Sequence, residues 1–157
     1  MKENIIKIIP NIRFWPKGIS TLHYYNLIFT DRRLIFEFID KNVYVGPLYG
    51  NNSFLIDIVA LAKFITKKRK IKDKFKNDIS PEKNIKEILD KNLKNFTIEY
   101  YGIENIEIKK GVFQITFMRE YPLTGKKCSF HFDRINQFDI ESIFMKTFPK
   151  KTNIKSD

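Results

Sequence analysis

The stretch 26–40, which reads NLIFTDRRLIFEFID, constrains the fold of this chain more than any other segment. Two runs rich in β-branched and aromatic residues flank one polar turn, and this pattern predicts a β-hairpin. Successive side chains of a strand point to opposite faces, so the alternation divides the hairpin into two sets. We expect the more apolar set to face the core (Leu27, Phe29, Leu34, Phe36 and Phe38) and the other to face away (Asn26, Ile28, Thr30, Ile35, Glu37 and Ile39).

Further strands are expected on both sides of the hairpin. Residues 5–15 form a first strand that is interrupted at Pro10, and the breaker-rich segment 43–52 closes this strand region. Strand periodicity returns in four later segments, with a bulge expected near Glu104 and Asn105. These segments are 96–100, 103–109, 112–118 and 126–132.

Helical periodicity separates the two strand regions and returns at the C-terminus. Residues 54–65 carry one apolar helical stripe, and Ser80, Pro81 and Glu82 are typical of the start of a second helix. The apolar face of that second helix comprises Ile85, Ile88, Leu89 and Leu93. A third stripe at Ile140, Ile143, Phe144 and Phe148 predicts a terminal helix that begins near Asp133 or Asn136 and is stopped by Pro149. Residues 149–157 are predicted to be a polar, disordered tail.

Length and cysteine content favour one cytoplasmic domain. The 157 residues suffice for a single core, and the lone Cys128 cannot form an intramolecular disulfide, as is usual in a reducing compartment. We expect Cys128 to be a core or strand residue and not a nucleophile. The N-terminus has no uninterrupted apolar run of the secretory type, and the longest apolar stretch is shorter than the roughly 18–20 residues that span a bilayer.

The positive charge is concentrated in one segment. The formal net charge of +11 favours an anionic partner, although a composition rich in Lys, Ile, Asn and Phe also reflects A/T-rich coding. Residues 67–76, KKRKIKDKFK, contain seven basic residues and can form an amphipathic helix on an anionic bilayer. The alternative interpretation is a solvated helix face. The candidate binding residues are Lys67, Lys68, Arg69, Lys70, Lys72, Lys74 and Lys76.

Accessory contacts are predicted at two other places. Trp15 and Lys17 are candidates for an interfacial anchor, although a lone Trp is more often a core residue. Arg32 and Arg33 have the geometry to bind phosphate in a forked manner. A structural role for the turn is favoured over phosphate binding, because Thr30 and Asp31 are turn formers and an Arg at the turn exit can pair with Asp31.

The hairpin LIFTDRRLIF resembles a motif of prokaryotic pleckstrin-homology-like and GRAM-like domains, in which an apolar strand runs into Thr-Asp-(Arg/Lys)-Arg-Leu and a second strand. Residues 94–111, KNFTIEYYGIENIEIKKG, are similar to a second motif of that family. The resemblance implies an α+β fold, namely a bent, partly open seven-stranded barrel with a C-terminal helix. Residues 1–148 form this single domain, and residues 52–94 are a helical insertion between strands 3 and 4.

The family resemblance implies a non-catalytic binding or adaptor module without a cofactor. Its partner is expected to be an anionic membrane surface or another protein, with the chain in the cytoplasm or peripherally at the inner face of the membrane. Eukaryotic relatives that bind phosphoinositides use basic residues between the first two strands. Here the loop 15–22 offers only Lys17, which departs from that pattern.

Two other classes of function compete with this interpretation. A nucleic-acid-binding protein would combine the Lys-rich segment with stacking on exposed tyrosines, namely Tyr24, Tyr25, Tyr100, Tyr101 and Tyr121. A metal-dependent nuclease, the least favoured class, would use Glu107 and Lys109 with Glu99 on an adjoining strand. His23 and His131 lie on strands without a second ligand at metal-binding spacing, so we expect surface or core-edge roles.

Overall fold

The computed structural model of the protein describes residues 3–16, 21–43, 70, 84–121 and 124–155. These residues form eight strands and two α-helices. Helix α1 precedes β4, and helix α2 lies between β7 and β8. The strands are β1 (Ile5–Phe14), β2 (Thr21–Thr30), β3 (Arg33–Val43), β4 (Phe96–Glu99), β5 (Ile103–Lys109), β6 (Val112–Tyr121), β7 (Gly125–His131) and β8 (Thr152–Ile154), and the helices are α1 (Ile85–Lys91) and α2 (Gln137–Thr147).

The strands form one open sheet in the order β4-β3-β2-β1-β7-β6-β5-β8. All neighbours are antiparallel except β5 and β8. In the described part of the chain, β1 pairs with β7 at one position, Arg13 opposite His131. The sheet therefore consists of an N-terminal half-sheet (β1–β4) and a C-terminal half-sheet (β5–β8) that meet at a narrow junction.

The predicted hairpin and its core face are confirmed. Strands β2 and β3 pair along their length, and Asp31 and Arg32 form the turn between them. Leu27, Phe29, Leu34 and Phe36 are fully buried, and Phe38 packs against the same cluster.

Both predicted irregularities also occur. The register of β1 shifts between Ile9 and Ile12, immediately after Pro10, and Asn11 adopts a φ of 61° there. A second shift lies between Ile103 and Asn105 in β5. The bulge in β1 is fixed by a hydrogen bond that Asn11 Nδ2 donates to the carboxylate of Asp133 at 2.6 Å.

One core unites the two half-sheets. The rings of Phe36 and Phe130 stack with centroids 4.7 Å apart across the junction. Phe144 of α2 contacts Phe29 of one half-sheet and Phe113 of the other, each at 5.0 Å between ring centroids. The predicted terminal helix therefore closes the space between the halves.

The expectation for the second face of the hairpin was wrong, because that face is buried as well. Ile28 and Ile35 are fully buried and pack against Ile88 of α1. On the same face Asn26 donates a hydrogen bond to the carboxylate of Glu37 at 2.9 Å, which allows two polar side chains to be buried. Both strand faces of the N-terminal half-sheet therefore contribute to apolar packing.

Helix α1 differs in detail from the predicted helix. Its N-cap is Asn84, whose side-chain oxygen accepts a hydrogen bond from Lys86 N at 3.0 Å. Ile88 is buried as expected, but Leu93 lies beyond the helix end and is fully exposed. The predicted start at residues 80–82 lies outside the described residues, as do the loop 44–52 and the helix predicted over 54–65.

Residues 150–155 of the C-terminal tail are ordered, contrary to the expectation, and the described residues form eight strands where seven were expected. Thr152–Ile154 forms β8 parallel to β5. Ile106 N donates to Lys151 O at 2.8 Å, and Lys155 N donates to Ile108 O at 2.9 Å. These hydrogen bonds are formed by the main chain. The side chains of the tail are polar and do not follow a strand pattern, so the sequence does not predict β8.

Candidate functional site

The β1–β2 and β6–β7 connections join their strands at the same end of the sheet. Because neighbouring strands are antiparallel, the ends of β1 and β3 lie on the same side as the starts of β2 and β7. We call this side the loop end. Strand β3 also ends at the loop end, and the segment 44–83, in which the basic helix is predicted, follows β3 in the sequence.

A groove of about 520 Å³ opens at the loop end beside β7. It exists because β7 begins at Gly125, well beyond the single residue pair that joins β7 to β1. We call it the Trp15 groove. Its described lining comprises Phe14, Trp15, Glu120, Thr124, Gly125, Lys126, Lys127, Cys128, Ser129 and His131.

Trp15 is exposed in this groove, contrary to the expectation that it belongs to the core. The side chain retains 41% of its accessible surface, and its ring meets His131 edge-on with centroids 5.6 Å apart. Strand β1 ends at Phe14, whose side chain is buried, so Trp15 lies just past the sheet. The exposed position is compatible with the alternative role as an anchor.

The charge of the groove comes from its rim. Lys126 and Lys127 are exposed, and Glu120 is the acidic residue of the described lining. Burial, with a further contribution from the charge of Arg13, lowers the pKa of His131. The imidazole is therefore neutral at pH 7, and the two lysines give the groove a positive balance.

Cys128 lies on the floor of the groove as a buried core residue, as the sequence analysis expected. The side chain is 6% exposed and unpaired as a disulfide. Burial raises the pKa of its thiol far above the ordinary range. The thiol therefore stays protonated at neutral pH, which does not suit a nucleophile.

The turn between β2 and β3 is held by hydrogen bonds to the side chain of Thr30. Thr30 Oγ1 accepts hydrogen bonds from the backbone amides of Arg32 at 3.1 Å and Arg33 at 3.0 Å. The expected pairing of an arginine with Asp31 was wrong for Arg33, which instead binds Glu3 at 2.7 Å and Glu99 at 3.5 Å. The hydrogen bond from Arg33 lowers the pKa of Glu3.

The predicted anionic-surface residues do not form one cluster in the described part of the chain. Of the seven residues in the basic segment, Lys70 alone is described, and its side chain is exposed. Lys17 also lies outside the described residues. Arg32 and Arg33 lie at the β2–β3 turn, which is the end of the sheet opposite Trp15.

Lys126 and Lys127 are the residues that sequence reasoning missed. Two adjacent lysines in a chain this basic carry little information. The sequence feature that could have identified these lysines is their position immediately after Gly125. In the structure β7 begins at this glycine, which adopts a φ of 67°. Two lysines at the start of β7, on the side of the sheet where β1 ends, would have indicated this rim.

The predicted stacking platform for nucleic acid is not formed by the named tyrosines. Tyr24 and Tyr25 are each 1% exposed, and the Tyr25 hydroxyl lies 3.1 Å from His23 Nδ1. Tyr101 is the one clearly exposed member, at 71%. Both faces of the N-terminal half-sheet are packed, so adjacent tyrosines on β2 are buried in opposite directions.

The structure does not bring together the two carboxylates that were predicted for a nuclease site. Glu99 lies on β4 and Glu107 on β5, and these strands are not neighbours in the sheet. Glu99 pairs with Arg33, and Glu107 pairs with Lys155 at 3.1 Å. Within residues 3–16, 21–43, 70, 84–121 and 124–155, no three His, Cys, Asp or Glu side chains are arranged to hold a metal ion.

The two histidines have packing roles. His23 is buried, and its Nε2 lies 3.1 Å from the hydroxyl of Thr21. Burial lowers its pKa, and the charges of Lys94 and Lys41 lower it further. His131 supports the Trp15 ring. His23 is therefore a core residue, and His131 is a core-edge residue as expected.

Comparisons with models of protein families, with curated proteins and with solved structures give no significant match to this chain. Among the described residues, no helix combines the length and the apolar character needed to cross a membrane.

Proposed function

We propose that this chain is a non-catalytic binding module of pleckstrin-homology-like fold that docks to an anionic membrane surface through its loop end. One observation carries the proposal. Trp15 is exposed between the end of β1 and a rim that holds Lys126 and Lys127, on the side where β3, the strand that precedes the predicted basic segment, ends. An amphipathic ring beside cations suits the interface between lipid headgroups and water.

The order of elements supports the fold in this proposal. Three antiparallel strands precede α1, four strands lie between α1 and α2, and α2 packs between the two half-sheets. This is the order that the resemblance implies for a bent barrel with an insertion between strands 3 and 4. Strand β8 is an addition to that plan.

The expected energies make docking a joint effect of the rim and the basic segment. A basic residue close to an anionic surface contributes about 1 kcal/mol. Lys126 and Lys127 would together contribute about 2 kcal/mol, too little for stable recruitment alone. The seven basic residues of the segment would add the rest, and binding should weaken as salt rises.

The test is co-sedimentation with vesicles of phosphatidylserine and phosphatidylcholine, compared with phosphatidylcholine alone, over a salt series. The variant K126E/K127E reverses the charge of the rim. Its control, K109E/K110E, reverses two exposed lysines at the other end of the C-terminal half-sheet. Each lysine replaced by glutamate changes the charge by −2, so both double variants fall from +11 by four.

We expect K126E/K127E to lose at least about 30-fold in apparent affinity for anionic vesicles, which corresponds to the 2 kcal/mol above, while the control loses much less. Neutralising Lys67, Lys68, Arg69 and Lys70 should abolish recruitment without lowering the melting temperature. Equal losses in both double variants would show a net-charge effect and reject the loop end. Displacement by single-stranded DNA would favour the nucleic-acid alternative.

A further inference from the structure

Within the described residues, the backbone edge of β7 along the Trp15 groove is largely unpaired. Its pairing with β1 ends at His131, and the preceding residues of β7 face the groove instead of a neighbouring described strand. On its other side β7 pairs with β6 from Val112 opposite His131 to Thr116 opposite Lys127. One side of β7 is therefore paired with β6 from Lys127 to His131, and the other is largely unpaired within residues 3–16, 21–43, 70, 84–121 and 124–155.

The hydrogen bonds show which residues of β7 face the groove. Phe132 N donates to Gly111 O at 2.9 Å, so this residue directs its backbone toward β6. In an antiparallel ladder successive residues alternate in this respect. The backbone groups of His131, Ser129 and Lys127 therefore point to the side of β1, where Ser129 and Lys127 have no paired strand among the described residues.

The dimensions suit an added strand. The open stretch Gly125 to Ser129 covers five residues, or roughly 16 Å at about 3.3 Å per residue. An open strand edge binds extended peptides through main-chain hydrogen bonds, while side-chain contacts select among sequences. A groove of about 520 Å³ beside that edge provides space for a chain of this length.

We infer that the Trp15 groove binds an extended acidic peptide of a protein partner, which pairs with β7 as an added strand. Main-chain groups of Ser129 and Lys127 supply the pairing. Lys127 shares its strand face with His131, which Trp15 contacts, so acidic side chains on that face of the peptide would lie between Trp15 and Lys127. The rim holds two lysines and one glutamate, and this charge balance selects acidic over basic peptides.

Peptide binding along β7 is a function separate from membrane docking and does not require it. A lipid surface would contact the lysine side chains but would not form main-chain hydrogen bonds to β7. The two kinds of ligand therefore differ in their effect on backbone amides.

Amide hydrogen exchange, measured by NMR on the full chain, tests the inference. The probe is the peptide Val-Glu-Val-Glu-Val, with Val-Lys-Val-Lys-Val as control. We expect the acidic peptide to slow exchange at Lys127 and Ser129 at least about tenfold, while Cys128 and Phe130, already paired with β6, change little. Absence of binding at millimolar peptide, or binding without this alternating protection, would overturn the inference.

A charge reversal gives a second readout. K126E/K127E should reverse the preference and bind the lysine peptide more tightly, whereas K109E/K110E should still prefer the glutamate peptide. Thermal unfolding of each variant establishes that it is folded before binding is measured. If anionic vesicles bind normally while neither peptide does, the strand-addition inference fails and the membrane proposal stands.

Discussion

The two half-sheets share one core but differ in how many of their faces are covered. In β2, nine consecutive residues from Leu22 to Thr30 are buried. In β5, buried and accessible residues alternate, with Ile103, Ile106 and Ile108 inside. The difference follows from sequence, because both faces of β2 carry apolar side chains, whereas one face of β5 carries Glu104, Asn105, Glu107 and Lys109, shifted by the bulge.

The comparison explains why α1 packs where it does. A strand with apolar side chains on both faces needs a cover on each side. The inner face of the N-terminal half-sheet packs on the common core, and its outer face packs on Ile88 of α1. The outer face of the C-terminal half-sheet instead carries polar contacts, such as the hydrogen bond from Gln114 to Ser129 at 2.9 Å.

The largest effect is expected from truncating a side chain on the outer face of the N-terminal half-sheet. Ile28→Ala should lower the free energy of unfolding by about 2–5 kcal/mol, because Ile28 is fully buried under α1. Thr116→Ala, on the outer face of β6, should cost less than about 0.5 kcal/mol. Urea unfolding of both variants measures the difference. Similar losses of unfolding free energy in the two variants would contradict the conclusion that the outer face is covered in the N-terminal half-sheet and accessible to solvent in the C-terminal half-sheet.

An intermediate effect is expected at the edge of the C-terminal half-sheet. A chain ending at Lys151 loses β8, including the hydrogen bonds from Lys155 N to Ile108 O and from Thr152 Oγ1 to Phe144 O. The loss should be about 1–2 kcal/mol, since each net hydrogen bond contributes about 1 kcal/mol. Thermal unfolding checks this. A melting temperature identical to that of the full chain would show that β8 does not stabilise the protein.

The smallest effect concerns one ion pair in each half-sheet and depends on pH. The pKa of Glu3 is lowered by Arg33, so the pair stabilises the folded state above the unfolded-state pKa of about 4.3 and is lost as pH falls through the lower folded-state pKa. Glu3→Gln should therefore cost about 1 kcal/mol at pH 7, and its difference from the wild type should shrink as pH falls below about 4.3 and vanish below the lowered folded-state pKa.

The matched variant Glu107→Gln removes the exposed pair with Lys155 in the C-terminal half-sheet. We expect a smaller change in melting temperature than for Glu3→Gln, since solvent and salt screen this pair. Melting curves at several pH values compare the two variants. If Glu107→Gln lowers the melting temperature more than Glu3→Gln at pH 7, the pair Glu107–Lys155 stabilises the protein more than the pair Glu3–Arg33, contrary to this expectation.

Local sequence patterns were sufficient for most of the elements. The hairpin, the interruption after Pro10, the bulge near Asn105 and the terminal helix all follow from apolar periodicity and turn residues. The candidate site was less predictable. Trp15 looked like a core residue because large apolar side chains usually are, and only the end of β1 at Phe14 leaves it outside.

The sequence by itself determined where the chain forms strands and turns, because those depend on neighbours a few residues apart. Only the tertiary structure decided that both faces of β2 are covered, that the polar tail becomes β8, and that β7 extends past β1 to open a groove. The physical reason is that coverage and pairing between distant segments depend on where each strand ends relative to its neighbour. Lys126 and Trp15, more than a hundred residues apart, therefore line one groove that no local pattern could indicate.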